Sequence, residues 1–480
     1  MRQPRSNRPR FGTLYHKTTV IYRPYDYQRT ATQWIIDNPR CGLFLDMGLG
    51  KTVATLTALQ ELLDICEINS ALVVAPKKVA ETTWTTEASK WDHLHALRVV
   101  KVLGTERQRV DALNTDADVY VTSRDNFVWL TGYYNGKLPY DVIVIDELTS
   151  FKSNKSQRFK AMRLASANVK RVVGLTGTPA PNGLLDLWAQ MYCIDGGARL
   201  GRSIGKYRDT YFDLRRWNNI VVKATLKKGA EQVIRDKIAD ICLSMQAKDY
   251  LTLPDLLTID ERVTLSESTR QSYATFERDR VLEFAGQHAG EPTNVLVNSA
   301  AGLLNKLSQY ANGAVYDDEG NAHEVHTEKL DRLAEIVESA NGASVLVFYQ
   351  YKHDAVRIAD KLKGYRVRTY NGEADLIVWN KGEIDVLLAH PASTAYGLNM
   401  QAGGHYIVWY GTGYNLELYQ QANARLHRQG QQHPVTVYRL ICTGTVDERA
   451  VASLESKQGT QQSLLDSLKY LITKHNAQTC

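Results

Sequence analysis

The sequence predicts an α/β protein built as two lobes, each a parallel sheet flanked by helices. Three observations carry that expectation. Short apolar runs bounded by turn residues alternate with stretches of helical spacing, the pattern of strands buried on both faces. The runs fall into an early and a late group. The early group has a glycine turn after one strand and paired acids after another, at the strand ends where open parallel sheets take ligands. At 480 residues the chain is also too long for a single core.

The first element is the run Cys41-Gly42-Leu43-Phe44-Leu45, followed by Asp46-Met47-Gly48-Leu49-Gly50-Lys51-Thr52 and then by helical apolar spacing from Val53 to Leu59. Strand, glycine turn and helix in that order read as a phosphate-binding loop. Gly48 and Gly50 let the backbone of Met47 to Lys51 approach and point N–H groups at phosphate oxygens. Lys51 adds a cation for the β- and γ-phosphates, and Thr52 a hydroxyl ligand for Mg²⁺. The general pattern G-x-x-x-x-G-K-[ST] is not fully met, since Leu45 stands in its first glycine position. The anion nest depends on the glycines beside the lysine and survives that departure.

Composition narrows the class. Lys and Arg total 58 against 52 Asp and Glu, a net charge of +6 that permits a nucleic-acid partner without demanding one. The six cysteines, 41, 66, 193, 242, 442 and 480, form no C-x-x-C pair, so neither a disulfide framework nor a zinc site is expected. No apolar run approaches the roughly 20 residues that span a bilayer, and no signal-peptide core is present. A soluble cytoplasmic protein without a membrane partner is expected. Met1 to Arg10 carries four Arg and two Pro and reads as a disordered basic arm.

Upstream of the loop, Tyr25-Asp26-Tyr27-Gln28 precedes a helix over 29–37. The amide of Gln28 offers a donor and an acceptor together, as an adenine edge requires. Downstream, Ala71 to Pro76, followed by Lys77-Lys78, and Val119 to Arg124 are buried strands ending in basic or hydroxyl residues suited to phosphate contacts. Asp141 to Ile145 is another, and it delivers Asp146-Glu147 at its end. Asp146 can hold Mg²⁺ through its water shell while Glu147 polarises the attacking water. Arg171 to Pro179 is a strand with a hydroxyl-rich turn. From Gly196 to about His326 the strand pattern stops. Helical spacing is expected over 230–245 and 266–284, a polar loop over 286–294, and a link at Leu253-Pro254-Asp255. The late group begins near Glu328, with strands at Ser344 to Tyr349, Asp385 to Ala389 and His405 to Tyr410.

With these motifs the chain resembles a superfamily-two helicase of the Swi/Snf branch, over about residues 20 to 460. The wording is carried by Asp46 to Thr52, Asp146-Glu147, Leu175-Thr176-Gly177-Thr178-Pro179 and the run Gln421 to Gln431. Ala75 to Ala80 and Gly397 to Gln401 are similar to the compact phage and prophage form. Many relatives have Ala-His after the paired acids where this chain has Leu148-Thr149. The resemblance implies two RecA-like lobes with ATP and Mg²⁺ in the cleft and DNA, duplex above all, across both. It implies a DNA-dependent ATPase that translocates along or remodels DNA, with a replication or recombination protein as a further partner.

Hydrolysis would rest on Lys51, Thr52, Asp146 and Glu147. Arg425 and Arg428, on a helix beginning near Leu416, share one face and enter the nucleotide from the opposite lobe. The resemblance also implies DNA contacts near Lys77, Thr122, Ser123, Arg124, Tyr349, Ser393 and Thr394. The expected division is a basic arm over 1–12, an ATP-binding lobe over 13–195, helical insertions and linker over 196–326, and a second lobe over 327–480. A strand-separating DNA or RNA helicase and a non-translocating ATP-gated clamp stay open as alternatives. His323-Glu324-Val325-His326 reads as a solvated loop without a third metal ligand, and Trp84, Trp91, Trp188 and Trp409 as core.

Overall fold

The computed structural model describes residues 19–177, 179, 183–217, 220–250, 253–287, 293–394, 398–456, 466–467 and 470–471. The basic arm lies outside them, as do Thr178 and Gly397 of the motifs quoted above. In chain order the first half supplies β1 (Arg40–Leu45), β2 (Ala71–Ala75), β3 (Val99–Val102), β4 (Val119–Ser123), β5 (Val142–Asp146), β6 (Arg171–Thr176), β7 (Phe212–Trp217), β8 (Ile220–Leu226) and β9 (Cys242–Met245). Seven of these form one sheet in the order β3-β4-β2-β5-β6-β1-β9, every neighbour parallel. All five residues of β2 are buried. Leu72 and Val74 enter a core with Phe127, Met162 and Ile194, and Ala71, Val73 and Ala75 one with Leu56, Leu59 and Trp84. Covering both faces is what makes such strands read as unbroken apolar runs.

The second sheet takes β10 (Leu256–Val263), β13 (Val345–Phe348), β14 (Val367–Thr369), β15 (Val386–Ala389), β16 (Tyr406–Trp409) and β17 (Val435–Cys442), in the order β10-β17-β16-β13-β15-β14, again all parallel. β11 (Ala314–Tyr316) and β12 (Ala322–Glu324) make a small hairpin. Two parallel sheets flanked by helices are two RecA-like lobes.

The strand pattern does not stop between 196 and 326. β7 and β8 pair there, β9 completes the first sheet beside β1, and β10 completes the second beside β17. Helical spacing over 230–245 holds only to Ile238 before β9 begins. The reason is positional. β9 and β10 are edge strands, β9 only four residues long and β10 mostly solvent-facing, so neither needs a continuous apolar run. The helix Glu267–Gln287 covers the expected 266–284, and the polar loop over 286–294 lies largely outside the described residues.

A buried polar cluster ties the helices of the second half together. Lys329 is fully buried, donating to Asp447 Oδ2 at 2.6 Å and Asn312 Oδ1 at 2.8 Å, and Asn312 Nδ2 donates to Asp354 Oδ2 at 3.0 Å. No helix among the described residues is long and apolar enough to cross a membrane.

Candidate active site

Strand order assembles the site. β5, β6 and β1 are adjacent and parallel, with Asp146 opposite Leu175 and Phe44 opposite Thr176. The ends of these strands therefore bring Leu45, Asp146 and Thr176 to one edge. From Leu45 the loop turns through Gly48 (φ +86°) and Gly50 (φ +72°), both left-handed, into the helix Lys51–Asp64. Gly50 is that helix's N-cap and offers no side-chain cap, so the first-turn N–H groups are left for an anion. The positive φ favours glycine at 50, and a Cβ there would stand 2.4 Å from Gln28 Nε2 and displace that amide.

Lys51 folds back onto its own loop, donating to Leu45 O at 2.6 Å and Asp46 O at 3.2 Å. Burial pulls its pKa down, against the opposing pull of Glu147, Asp146 and Asp46. Asp146 Oδ2 accepts from Trp84 Nε1 at 2.9 Å. Burial pushes the Asp146 carboxyl up, with Trp84 and Lys51 opposing. Glu147 holds φ +60°, a left-handed conformation rare outside glycine, of the kind that clusters at active sites. Its Oε1 accepts from Thr149 Oγ1 at 3.0 Å and Thr176 Oγ1 at 3.4 Å, and burial and then Asp146 push its pKa up. Two buried acids lifted in this way, with the Thr52 hydroxyl at the start of the helix, make a hard-oxygen set that fits Mg²⁺.

The second lobe closes the site. Arg425 Nη2 reaches Met47 Sδ at 3.5 Å, and the Cβ of Arg428 lies 3.7 Å from where a Cβ on Gly48 would be. Arg425 is buried and Arg428 half-buried, and desolvation lowers the pKa of both, that of Arg425 to about 9 with Arg428 adding to the effect. Glu147 and Glu87 oppose the lowering, and two guanidinium groups beside a glycine turn fit phosphate. These arginines are not on the helix expected from Leu416. That helix, Leu416–Asn423, ends first because tight turns follow: Arg425 N and Leu426 N donate to carbonyls three residues back, and Arg425 Nε takes Gln421 O at 2.8 Å. A second bridge runs from Thr149 Oγ1 to Glu417 Oε1 at 3.1 Å, with Lys152 Nζ 4.0 Å from Glu417 Oε2.

Gln28 is buried in the cap of the helix Asp26–Asp37, its Oε1 accepting from Tyr25 N at 3.0 Å. Its Nε2 lies against the phosphate loop. Among the residues tied to DNA by resemblance, Lys77 is exposed, and its neighbour Lys78 crosses the cleft to Ser393 O at 3.1 Å. Ser123 Oγ caps the helix Arg124–Tyr133 by accepting from Asn126 N at 3.1 Å. The charge of Arg124 opposes the upward push on the carboxyls of Asp146, Glu147 and Glu417. Thr122 and Thr394 are fully buried, their hydroxyls on Val102 O and Pro391 O at 3.1 Å each, so Thr122 ties β4 to β3, Thr394 closes the short helix Pro391–Thr394, and neither presents a hydroxyl to solvent. Ser393 Oγ donates to His390 O at 2.7 Å, and half-buried Tyr349 stands edge-on to His390.

Trp84 is core and site at once, since its indole N–H fixes Asp146. Sequence spacing gave no sign of it, for the two are 62 residues apart. His326 is buried on Tyr310 O at 2.8 Å and is not a solvated loop residue, while His323 pairs with Asp317. No metal-holding group of His, Cys, Asp and Glu occurs among the described residues.

The model of the SNF2-related domain matches residues 27–313. Protein p41 of Acyrthosiphon pisum secondary endosymbiont phage 1 is 34% identical over 466 residues, 93% of this chain and 99% of that protein. YwqA of Bacillus subtilis (strain 168), named as an ATP-dependent helicase/translocase, is 25% identical over 468 residues, 93% of this chain but only 49% of that protein. The solved Sulfolobus solfataricus SWI2/SNF2 ATPase core in complex with dsDNA is 22% identical, with a TM-score of 0.45, 93% of this chain and 94% of that one being covered.

Proposed function

Because the chain belongs to the SNF2-related family, we propose that it is a DNA-dependent ATPase motor that converts ATP hydrolysis into movement along duplex DNA. The observation that carries this is the approach of Arg425 and Arg428 of one lobe to the phosphate loop of the other. A cleft that needs both lobes to be complete turns over only when they close, and closing and opening is what a stroke requires.

Lys51 would leave the carbonyls of Leu45 and Asp46 for the phosphates, and the N–H groups after Gly48 and Gly50 would cradle them. Thr52 and Asp146 would hold Mg²⁺, which when bound neutralises charge on the β- and γ-phosphates. Glu147, held by Thr149 and Thr176, orients the attacking water. Arg425 and Arg428 stabilise charge developing on the transferred group. Gln28 selects adenine. Lys77, Ser123, Arg124, Tyr349 and Ser393 line the path for the DNA backbone, with Thr122 and Thr394 fixing the chain beside them. The site of action is the cytoplasm of a bacterial or phage-infected cell.

Hydrolysis measured with and without duplex DNA tests the reading, together with displacement of a third strand from a triplex. Stimulation by duplex of any sequence and displacement of the third strand are expected, and Lys51→Ala should abolish both. Hydrolysis indifferent to DNA would overturn it.

A further inference from the structure

Between the helices Ile204–Tyr211 and Ala230–Ile238 the chain makes an antiparallel hairpin, β7 against β8, that belongs to neither parallel sheet. One side of it is apolar. Phe212 is opposite Leu226 and Leu214 opposite Ala224, and these pack on the cluster that holds Trp188 and Ile234. The register sets Arg215 opposite Lys223.

The charge of the whole segment is lopsided. Residues 199–228 hold nine Lys and Arg against two Asp, a net +7, while the full chain carries +6. The rest of the molecule thus sums to −1, so this excursion, like the arm over 1–10, is a local concentration of positive charge. Arg202, Lys206 and Lys228 are exposed and form no ion pair among the described residues. An exposed cationic surface with aromatic and small polar neighbours is the footprint of a polyanion.

The base of the hairpin is wired to the nucleotide side. Gln190 Nε2 donates to Pro179 O at 2.7 Å, just beyond the Thr176 that touches Glu147. Trp188 Nε1 donates to Gly201 O at 2.9 Å, and Tyr207 Oη to Leu184 O at 2.7 Å.

We propose that β7–β8 and the helix before it form a second nucleic-acid contact of the motor, a cationic surface that takes a phosphodiester backbone outside the groove spanning the two lobes. The proposal rests on the reading of this chain as a DNA motor. A second grip of this kind holds an arm of the DNA while the lobes move against the rest.

The test is a binding titration by fluorescence anisotropy, without nucleotide, on labelled plain and forked duplex DNA over a salt series. It compares the full chain with its Arg202→Ala/Lys206→Ala/Lys228→Ala variant, and a thermal melt checks that the variant is folded. Binding should weaken about tenfold or more at low salt, and the slope of log Kd against log salt should flatten by about 0.9 for each phosphate that is no longer neutralised. A Lys363→Ala/Lys381→Ala variant, altered at exposed positions of the second lobe, should keep the wild-type slope. Flattening on forks alone assigns the surface to a branch arm, and flattening on both assigns it to the duplex. An unchanged slope and affinity in the folded triple variant overturns the proposal, as does loss of binding to polyglutamate with DNA binding intact. Since no hydrolysis is measured, the result is independent of whether DNA stimulates turnover.

Discussion

Arg425 of the second lobe reaches across the cleft to Met47 of the first, its Nη2 3.5 Å from the thioether sulfur, and so lies against the phosphate loop. Burial, and then the neighbouring Arg428, make the charge of Arg425 costly where it sits. Glu147 opposes that cost in part, and an anion in the loop would relieve it further. Arg425→Ala should therefore cut kcat by about 10³, with KM for ATP moving far less, as for a lost arginine finger. Steady-state kinetics with DNA at saturation decide it, and a variant with unaltered kcat would exclude the second lobe from catalysis.

Trp84 donates its only polar hydrogen to Asp146 Oδ2. Trp84→Phe keeps most of the ring in the core and removes that bond, leaving a buried carboxylate oxygen with one partner fewer. A lost bond to a charged group is worth about 1.5–3 kcal/mol, so kcat should fall by roughly one to two orders of magnitude. Because Asp146 is the carboxylate assigned to Mg²⁺, the concentration of Mg²⁺ giving half-maximal rate should rise as well. A fall in thermal midpoint with that concentration unchanged would mean that Trp84 serves packing alone.

Much of this was legible in the chain because local spacing carried it. The runs at β1, β2, β5 and β6 are apolar throughout since both faces of the sheet are covered, and the glycine turn and paired acids follow their strands directly. The edge strands β3, β9, β10 and β14 were missed, being short or half-exposed, and so was the β7–β8 hairpin, whose apolar residues alternate with charge. Contacts made by folding were beyond reach. Trp84 meets Asp146, and Thr149 meets Glu417, 268 residues away, only once the lobes exist.

Lys329 illustrates the stability side. Its ammonium is fully buried between Asp447 and Asn312, so removing it strands the Asp447 charge in the core of the second half. Breaking a buried pair in this way costs about 3–5 kcal/mol. Lys329→Met should lower the denaturation midpoint by that order, and Lys329→Met with Asp447→Leu should recover much of it. A single variant as stable as the parent would show that the pair contributes nothing net.

Thr149 stands where many relatives carry a histidine, and its hydroxyl lies 3.0 Å from Glu147 Oε1 and 3.1 Å from Glu417 Oε1. A hydroxyl has one hydrogen and can donate fully to only one of these at a time. Burial, followed by the charge of Glu147, pushes the Glu417 carboxyl up, so the two acids feel one another through this bridge. On the proposed stroke, parting of the lobes would take Glu417 away and turn the hydroxyl wholly to Glu147. The orientation of the acid that positions water would then report lobe closure. Thr149→Val preserves shape and deletes the bridge. Nucleotide affinity should stay near that of the parent, since no phosphate or metal ligand is touched, while the DNA-stimulated rate should fall by about tenfold or more toward the DNA-free rate, the cost of one charge-assisted bond. Nucleotide binding by equilibrium titration and turnover with and without duplex DNA separate the two effects. Equal stimulation in parent and variant would mean that closure reaches Glu147 by another route, through Thr176.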